Sequence, residues 1–321
     1  MKKFLSQLID RWVILLSAFM LGNIRYFRKS IESPDFEKHI HHVSVEAPVI
    51  DGKGVYHVSG ETFAGTLETS VVVRLWKGHE YPTIFYQHGN VERIVNLFPY
   101  RENVFKRIFY PKTLELPDYN LILIRSFMDG EILEHQQRIQ DLNYFMARLA
   151  FYTVLEEKII QSFQVYGKKK KQKMVYILAG NGFGGTVVNL HRAYFNTATA
   201  YVPLLAGANP GHIFTESDYR RLAGKRVRQN KRHVENRLNF ENDFVRVMSH
   251  NVYPMLAYYD RVMMYKQQIR GYETKPVNTI YQGHYETFSD TKAIRNHMLQ
   301  VIEQVQQSSG FTPGAGYKKK T

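Results

Sequence analysis

Six consecutive positions, Gly180-Asn181-Gly182-Phe183-Gly184-Gly185, have the spacing of a turn built for nucleophilic attack. In a G-x-S-x-G turn the serine sits on a sharp corner between a strand and a helix. Small residues on either side let the backbone bend and pack tightly there. Gly180 and Gly184 stand at the flanking positions, and the middle position is Gly182. Glycine has no side-chain atom with which to attack a carbonyl. Partners for such a turn exist elsewhere in the chain. His88-Gly89-Asn90 precedes it, and Asp260 and His284 follow it. A histidine needs a carboxylate to fix its tautomer, and the chain between Asp260 and His284 has room for a helix and a strand.

These residues need strands to hold them, and the pattern supplies them. Apolar runs alternating with helical spacing predict a mostly parallel sheet with crossover helices. Strands are expected at Val43–Val49, Gly54–Ser59 and Leu67–Leu75, in an antiparallel start. Further strands are expected at Thr83–Gln87, Tyr119–Arg125, Met174–Ala179, Ala200–Leu205, Pro254–Tyr258 and Pro276–Tyr281. Helices are expected at Leu133–Phe163, Thr186–Tyr194 and Thr291–Gln306, with Gly167–Lys173 as a polar turn. Each chemical motif then falls at the carboxyl end of a strand. In an open parallel sheet, those ends form the crevice where ligands bind. A backbone N–H at the start of the helix after the turn, that of Phe183, would face a developing oxyanion.

From about Val43 to Gln306 the chain resembles the α/β-hydrolase superfamily, of the serine esterase and lipase type. The resemblance rests on four motifs in the family's order. They are His88-Gly89-Asn90, the Gly180–Gly185 turn, Asp260 in Ala257-Tyr258-Tyr259-Asp260, and His284 in Gln282-Gly283-His284-Tyr285. It implies an α/β-hydrolase fold with flanking helices and a lid inserted at about residues 206–250. It also implies a catalytic set of Gly182 (nucleophile position), Asp260 and His284. The elbow would be Gly180, Gly184 and Gly185, and the oxyanion hole the N–H groups of Asn90 and Phe183. No cofactor and no metal are expected.

Each assignment has a competitor. Asp260 is suited equally to capping a helix that starts near Arg261. Asp218 and Glu216 are rivals, because some members of the family carry the acid at that place. The Gly180–Gly185 turn could cradle a phosphate, although it lacks the lysine and Ser/Thr of a P-loop. His39, His41 and His42 invite a metal site, but an exposed strand start accounts for them.

Gly182 itself admits three explanations: a pseudoenzyme that kept the pocket, an active hydrolase altered at this position, or a reaction in which His284 activates water. No other nucleophile stands out. Asn181 is too weak, Ser126 belongs to another strand end, and Thr186 lies inside the following helix.

Composition bounds the rest. A chain of 321 residues with 44% hydrophobic content can bury a substantial core as one main domain, about residues 31–308. It contains no cysteine, which removes disulfides, thiolate metal sites and a cysteine nucleophile. The formal charge of +14 favours anionic surfaces. No recognisable nucleic-acid motif accompanies it, so nucleic acid is not the expected partner.

Residues 1–30 form an apolar and basic segment. Its run from Trp12 to Gly22 is too short for the roughly 20 residues of a spanning helix. Asp10 and Arg11 interrupt any signal-peptide pattern. A helix packed on the domain and a membrane-surface helix both fit it. The segment between Leu205 and Val252 carries Arg220, Arg221, Lys225, Arg226, Arg228, Lys231, Arg232 and Arg237, as a lid that attracts anions or as a solvated face. Residues 309–321 read as a flexible basic tail. The expected ligand is an acyl or otherwise hydrophobic small molecule. The expected location is cytoplasmic, with a membrane-associated protein as the variant. Oligomeric state is left open.

Overall fold

The computed structural model describes residues 2–89, 104–109, 119–126, 136–170, 174–272 and 275–309. Among these, nine strands form one sheet: β1 (Ser44–Val45), β2 (Gly54–Thr62), β3 (Gly65–Leu75), β4 (Thr83–Gln87), β5 (Asn120–Ile124), β6 (Tyr176–Asn181), β7 (Ala200–Leu204), β8 (Met255–Ala257) and β9 (Asn278–Ile280). Their spatial order is β1-β2-β3-β5-β4-β6-β7-β8-β9. The pairs β1–β2, β2–β3 and β3–β5 are antiparallel, and all pairs from β5 to β9 are parallel.

The sequence explains which strands go where. β4, β5, β6 and β7 are unbroken runs of buried residues, the pattern of strands covered on both faces. β2 alternates buried and more exposed positions, as a strand with one solvated face should.

The helices are α1 (Lys2–Met20), α2 (Phe36–His41), α3 (Val104–Phe109), α4 (Leu142–Lys170), α5 (Phe183–Tyr194) and α6 (Gly211–Thr215). Three short helices follow: α7 (Lys225–Gln229), α8 (Lys231–Arg237) and α9 (Glu241–Arg246). The last three are α10 (Tyr265–Gln268), α11 (His284–Ser289) and α12 (Lys292–Ser309). α4 and α5 pack on each other, and α5 also packs on β6 and β7. α12 packs on β7 and α3. α12 buries Ile294, Met298, Val301, Ile302 and Val305, spaced three and four apart along one stripe.

Three expectations need correction. Helix α4 continues through Gly167 to Lys170, so no turn begins there, and its first helical residue is Leu142. The expected helix start at Leu133 and the tail after Ser309 lie outside the described residues. His39 is not at an exposed strand start. It sits in α2, fully buried, with Nε2 2.9 Å from Ser33 Oγ. The strand expected over Val43–Val49 is reduced to Ser44–Val45.

Candidate functional site

Register brings the motifs together. In the parallel pairing, Gln87 of β4 lies opposite Gly180 of β6, and Gly180 lies opposite Pro203 of β7. The carboxyl ends of these strands therefore meet at one edge, and the turn after β6 is in the middle of it.

That turn has a specific shape. Gly182 has φ 53° and ψ −109°, a combination that an L-residue adopts only under strain. Its N–H donates to Leu204 O of β7 at 2.9 Å, and its carbonyl accepts Thr186 N–H at 3.0 Å, closing the first turn of α5. The flanking glycines have a different reason. A Cβ on Gly180 would run into the backbone of Gly184, and one on Gly184 into the backbone of Gln87. The helix can leave the strand so sharply only because those side chains are missing. At Gly182, by contrast, an added Cβ would meet nothing within 4 Å.

Across the crevice, His284 and Asp260 form a buried pair. His284 Nδ1–H donates to Asp260 Oδ2 at 2.7 Å, since an ionised carboxylate can only accept. That fixes the tautomer and leaves Nε2 as the basic nitrogen. No helix starts near Arg261, so Asp260 is not a helix cap: the next helix, α10, begins at Tyr265. Asp260 Oδ1 instead accepts Val262 N–H and Met263 N–H, each at 2.7 Å, which holds the loop after β8.

The rivals sit elsewhere. Asp218 Oδ2 pairs with Arg261 Nε at 2.8 Å and Arg11 Nε at 3.3 Å, and Glu216 accepts from Gln267. The carboxylate bonded to the His284 imidazole is that of Asp260.

A third carboxylate in this cluster escaped the sequence reading. Asp10 of α1 is fully buried. Its Oδ2 accepts the backbone N–H groups of His284 and Arg261, both at 3.0 Å, and its Oδ1 accepts Tyr285 N–H at 2.9 Å. A helix from the start of the chain thus ties the His284 turn to the loop after β8. Ser6, Asp10 and Ser17 are polar yet buried, and with Ile14 they share one side of α1.

The electrostatics follow from burial and crowding. Asp10 is pushed up to about 6, first by burial and then by the charge of Asp260. Its N–H bonds and His284 only partly oppose this. For His284, burial alone acts downward. The charge and hydrogen bond of Asp260, with the charge of Asp10, overcome it and leave the imidazole above its ordinary value.

Gly182 and His284 line one narrow pocket of about 60 Å³. Its other walls are mostly apolar, with Phe145, Phe183, Ile213, Phe214 and Met263 prominent. Among the described residues no lysine or arginine lines it, which disfavours the phosphate-cradle alternative. The hydroxyls at the pocket are already engaged. Tyr26 and Tyr219 oxygens lie 3.1 Å apart, and Thr186 Oγ1 donates to Gly182 O at 3.2 Å. Ser126 Oγ likewise donates to His88 O at 2.7 Å. Asn90 lies outside the described residues, whereas Gly89 reaches the pocket.

Pro210, Ile213, Phe214 and Tyr219 come from the segment between Leu205 and Val252, so its first part walls the pocket. Its basic residues Arg220, Arg221, Lys225, Arg226, Arg228, Lys231 and Arg232 are exposed, while Arg237 pairs with Asp35. His212, Glu216 and Glu235 lie close enough together to hold an ion. Thr215 donates to Glu235 and Gln267 donates to Glu216, while His212 Nδ1 sits 3.5 Å from Glu216 with no hydrogen-bond partner among the described residues.

The chain has the α/β-hydrolase fold, a mostly parallel sheet with flanking helices. It is similar to the uncomplexed acylaminoacyl peptidase of Pyrococcus horikoshii, with a TM-score of 0.52 at 10% identity over 84% of this chain. The matched part is 44% of that peptidase, so the chain spans under half of its length. It is also similar to a peroxisomal α/β-hydrolase of Saccharomyces cerevisiae, with a TM-score of 0.50 at 8% identity, covering 86% of this chain and 91% of that one. No family model and no curated protein sequence matches it. At such identities the likeness carries the fold, and function must be argued from the site.

Proposed function

We propose that this chain is a carboxyl-ester or acyl-hydrolase type of protein that binds an acyl or hydrophobic ligand without serine-dependent turnover. Gly182 stands at the nucleophile position, Asp260 and His284 form the acid–base pair, and the Phe183 N–H is an oxyanion donor. The observation that supports it best is the conformation of Gly182. It keeps the strained corner of an elbow, with open space above it, in a pocket shared with His284.

The size of the effect favours binding over catalysis. Removing the serine of a serine hydrolase costs about 2 × 10⁶ in turnover, while the oxyanion hole and binding retain about 10³–10⁴ over water. Phe183 supports the donor role because the first N–H groups of a helix have no partner within it. Its ring also lies 4.5 Å from the guanidinium of buried Arg148, which holds the residue in place.

A fluorophosphonate serine probe and p-nitrophenyl esters of short and long acyl chains test this. Wild type should give no adduct and little hydrolysis, and Gly182→Ser should gain both. Stoichiometric labelling of wild type would overturn the proposal. So would wild-type ester turnover lost in His284→Ala, which would mean that His284 activates a water in the open space. A folded but inert Gly182→Ser variant would remove the roles given to Asp260 and His284.

A further inference from the structure

Among the described residues, one face of α1 has no partner. Phe4, Leu8, Trp12, Leu15, Leu16 and Phe19 are all exposed, with Trp12 at 66% and Phe19 at 85%. At 3.6 residues per turn they lie within roughly a third of the helix circumference. A continuous apolar stripe of this kind is unusual on a water-facing surface and marks a contact. The opposite side, with Asp10 and Ile14, is buried on the domain, so the stripe is not an artefact of an undocked helix.

Cations outnumber acids around the stripe. Lys2, Lys3 and Arg11 are exposed on α1, whose sole acid, Asp10, is buried. The adjacent Asp218, which Arg11 reaches at 3.3 Å, is also held by Arg261 at 2.8 Å. Arg220 and Arg221 are exposed on the short turn Asp218–Leu222, which packs against α1. A second copy docking through the same face would bring this basic rim against itself, on a chain of formal charge +14. A bilayer carrying anionic headgroups answers both features: acyl chains for the stripe and negative charge for the rim. Spanning is not the mode, because no described helix is long and apolar enough to cross a membrane.

We infer that α1 is a membrane-surface helix that lays its Phe4–Phe19 face into an anionic lipid leaflet while its Asp10 face stays on the domain. The same helix touches α11, which carries His284, and the turn that carries Tyr219. Docking therefore sets two walls of the pocket beside the lipid. This inference stands whether or not the pocket turns over a substrate.

The full chain should co-sediment with vesicles of equal parts phosphatidylcholine and phosphatidylglycerol, more weakly with phosphatidylcholine alone, and less as salt rises. Trp12 is one of two tryptophans, so its emission should shift to the blue on binding. The double variant Trp12→Ser, Phe19→Ser should bind roughly a hundredfold more weakly. Its melting temperature should match wild type, because both side chains are exposed. Absence of binding to the anionic vesicles, or equal binding by wild type and the double variant, would overturn the inference. So would sedimentation of wild type as a dimer that this variant abolishes, since a second copy would then own the face.

Discussion

Asp10 Oδ2 accepts the backbone N–H of His284 at 3.0 Å, across 274 residues of sequence. Helix α1 therefore sets the position of the histidine that lines one pocket with Gly182. Three backbone N–H groups converge on this one buried carboxylate.

Asp10→Ala should be among the most destabilising single changes in the protein. It would leave two buried donors, His284 and Tyr285 N–H, and the half-buried Arg261 N–H without this acceptor, at about 1–3 kcal/mol for each one that water cannot reach. A loss of about 3 kcal/mol or more in urea unfolding is expected. A loss under about 1 kcal/mol would mean that α1 is not held through Asp10.

The pH dependence has a definite sign. Asp10 is raised from 3.8 to about 6 in the folded chain, chiefly by burial. Between those values the folded state holds a proton that the unfolded chain has released, so stability falls as pH rises through that window. Asp10→Asn should flatten this part of a stability-against-pH curve.

His284 adds a slope of the same sign at higher pH. Burial acts to lower it, but Asp260 and Asp10 raise it above 6.5 on balance. The stability its proton contributes is complete below 6.5 and is lost as pH rises through the folded midpoint. Nuclear magnetic resonance titration of the imidazole should give that midpoint above 6.5, and Asp260→Asn should move it down.

Gly182→Ala tests the corner without adding chemistry. The methyl group has room, so the cost is backbone strain at φ 53°, about 1–3 kcal/mol. Thermal unfolding should show a modest drop with the fold intact. A stabilised variant would mean that the corner relaxes in solution.

Gly184→Ala is expected to behave differently. Its Cβ would collide with backbone atoms of Gln87, where neither element can yield without separating β4 from α5. A loss of roughly 3 kcal/mol or more, or failure to accumulate folded protein, is expected on overpacking grounds. Circular dichroism of the two glycine variants side by side distinguishes strain from collision.

Much of the frame was readable from sequence because its signals are local. Thr83–Gln87, centred on the apolar Ile84-Phe85-Tyr86, is β4 to the residue. The glycine spacing located the turn after β6, since close approach of strand and helix excludes Cβ atoms whatever the rest of the chain does. Element ends were less legible. α4 runs on through Gly167, where tertiary packing along its length outweighs one weak helix former.

The sequence by itself determined the order of the main strands, the place of the glycine-rich turn around Gly182, and the candidates Asp260 and His284. Only the tertiary structure decided between Asp260 and Asp218, because that choice depends on which carboxylate ends 2.7 Å from the imidazole and which is taken by Arg261. It also decided what the first helix is for. Periodicity assigns an amphipathic helix two faces. Which face is buried, and that Asp10 lands under His284, depends on contacts between distant parts of the chain, and no local pattern encodes those.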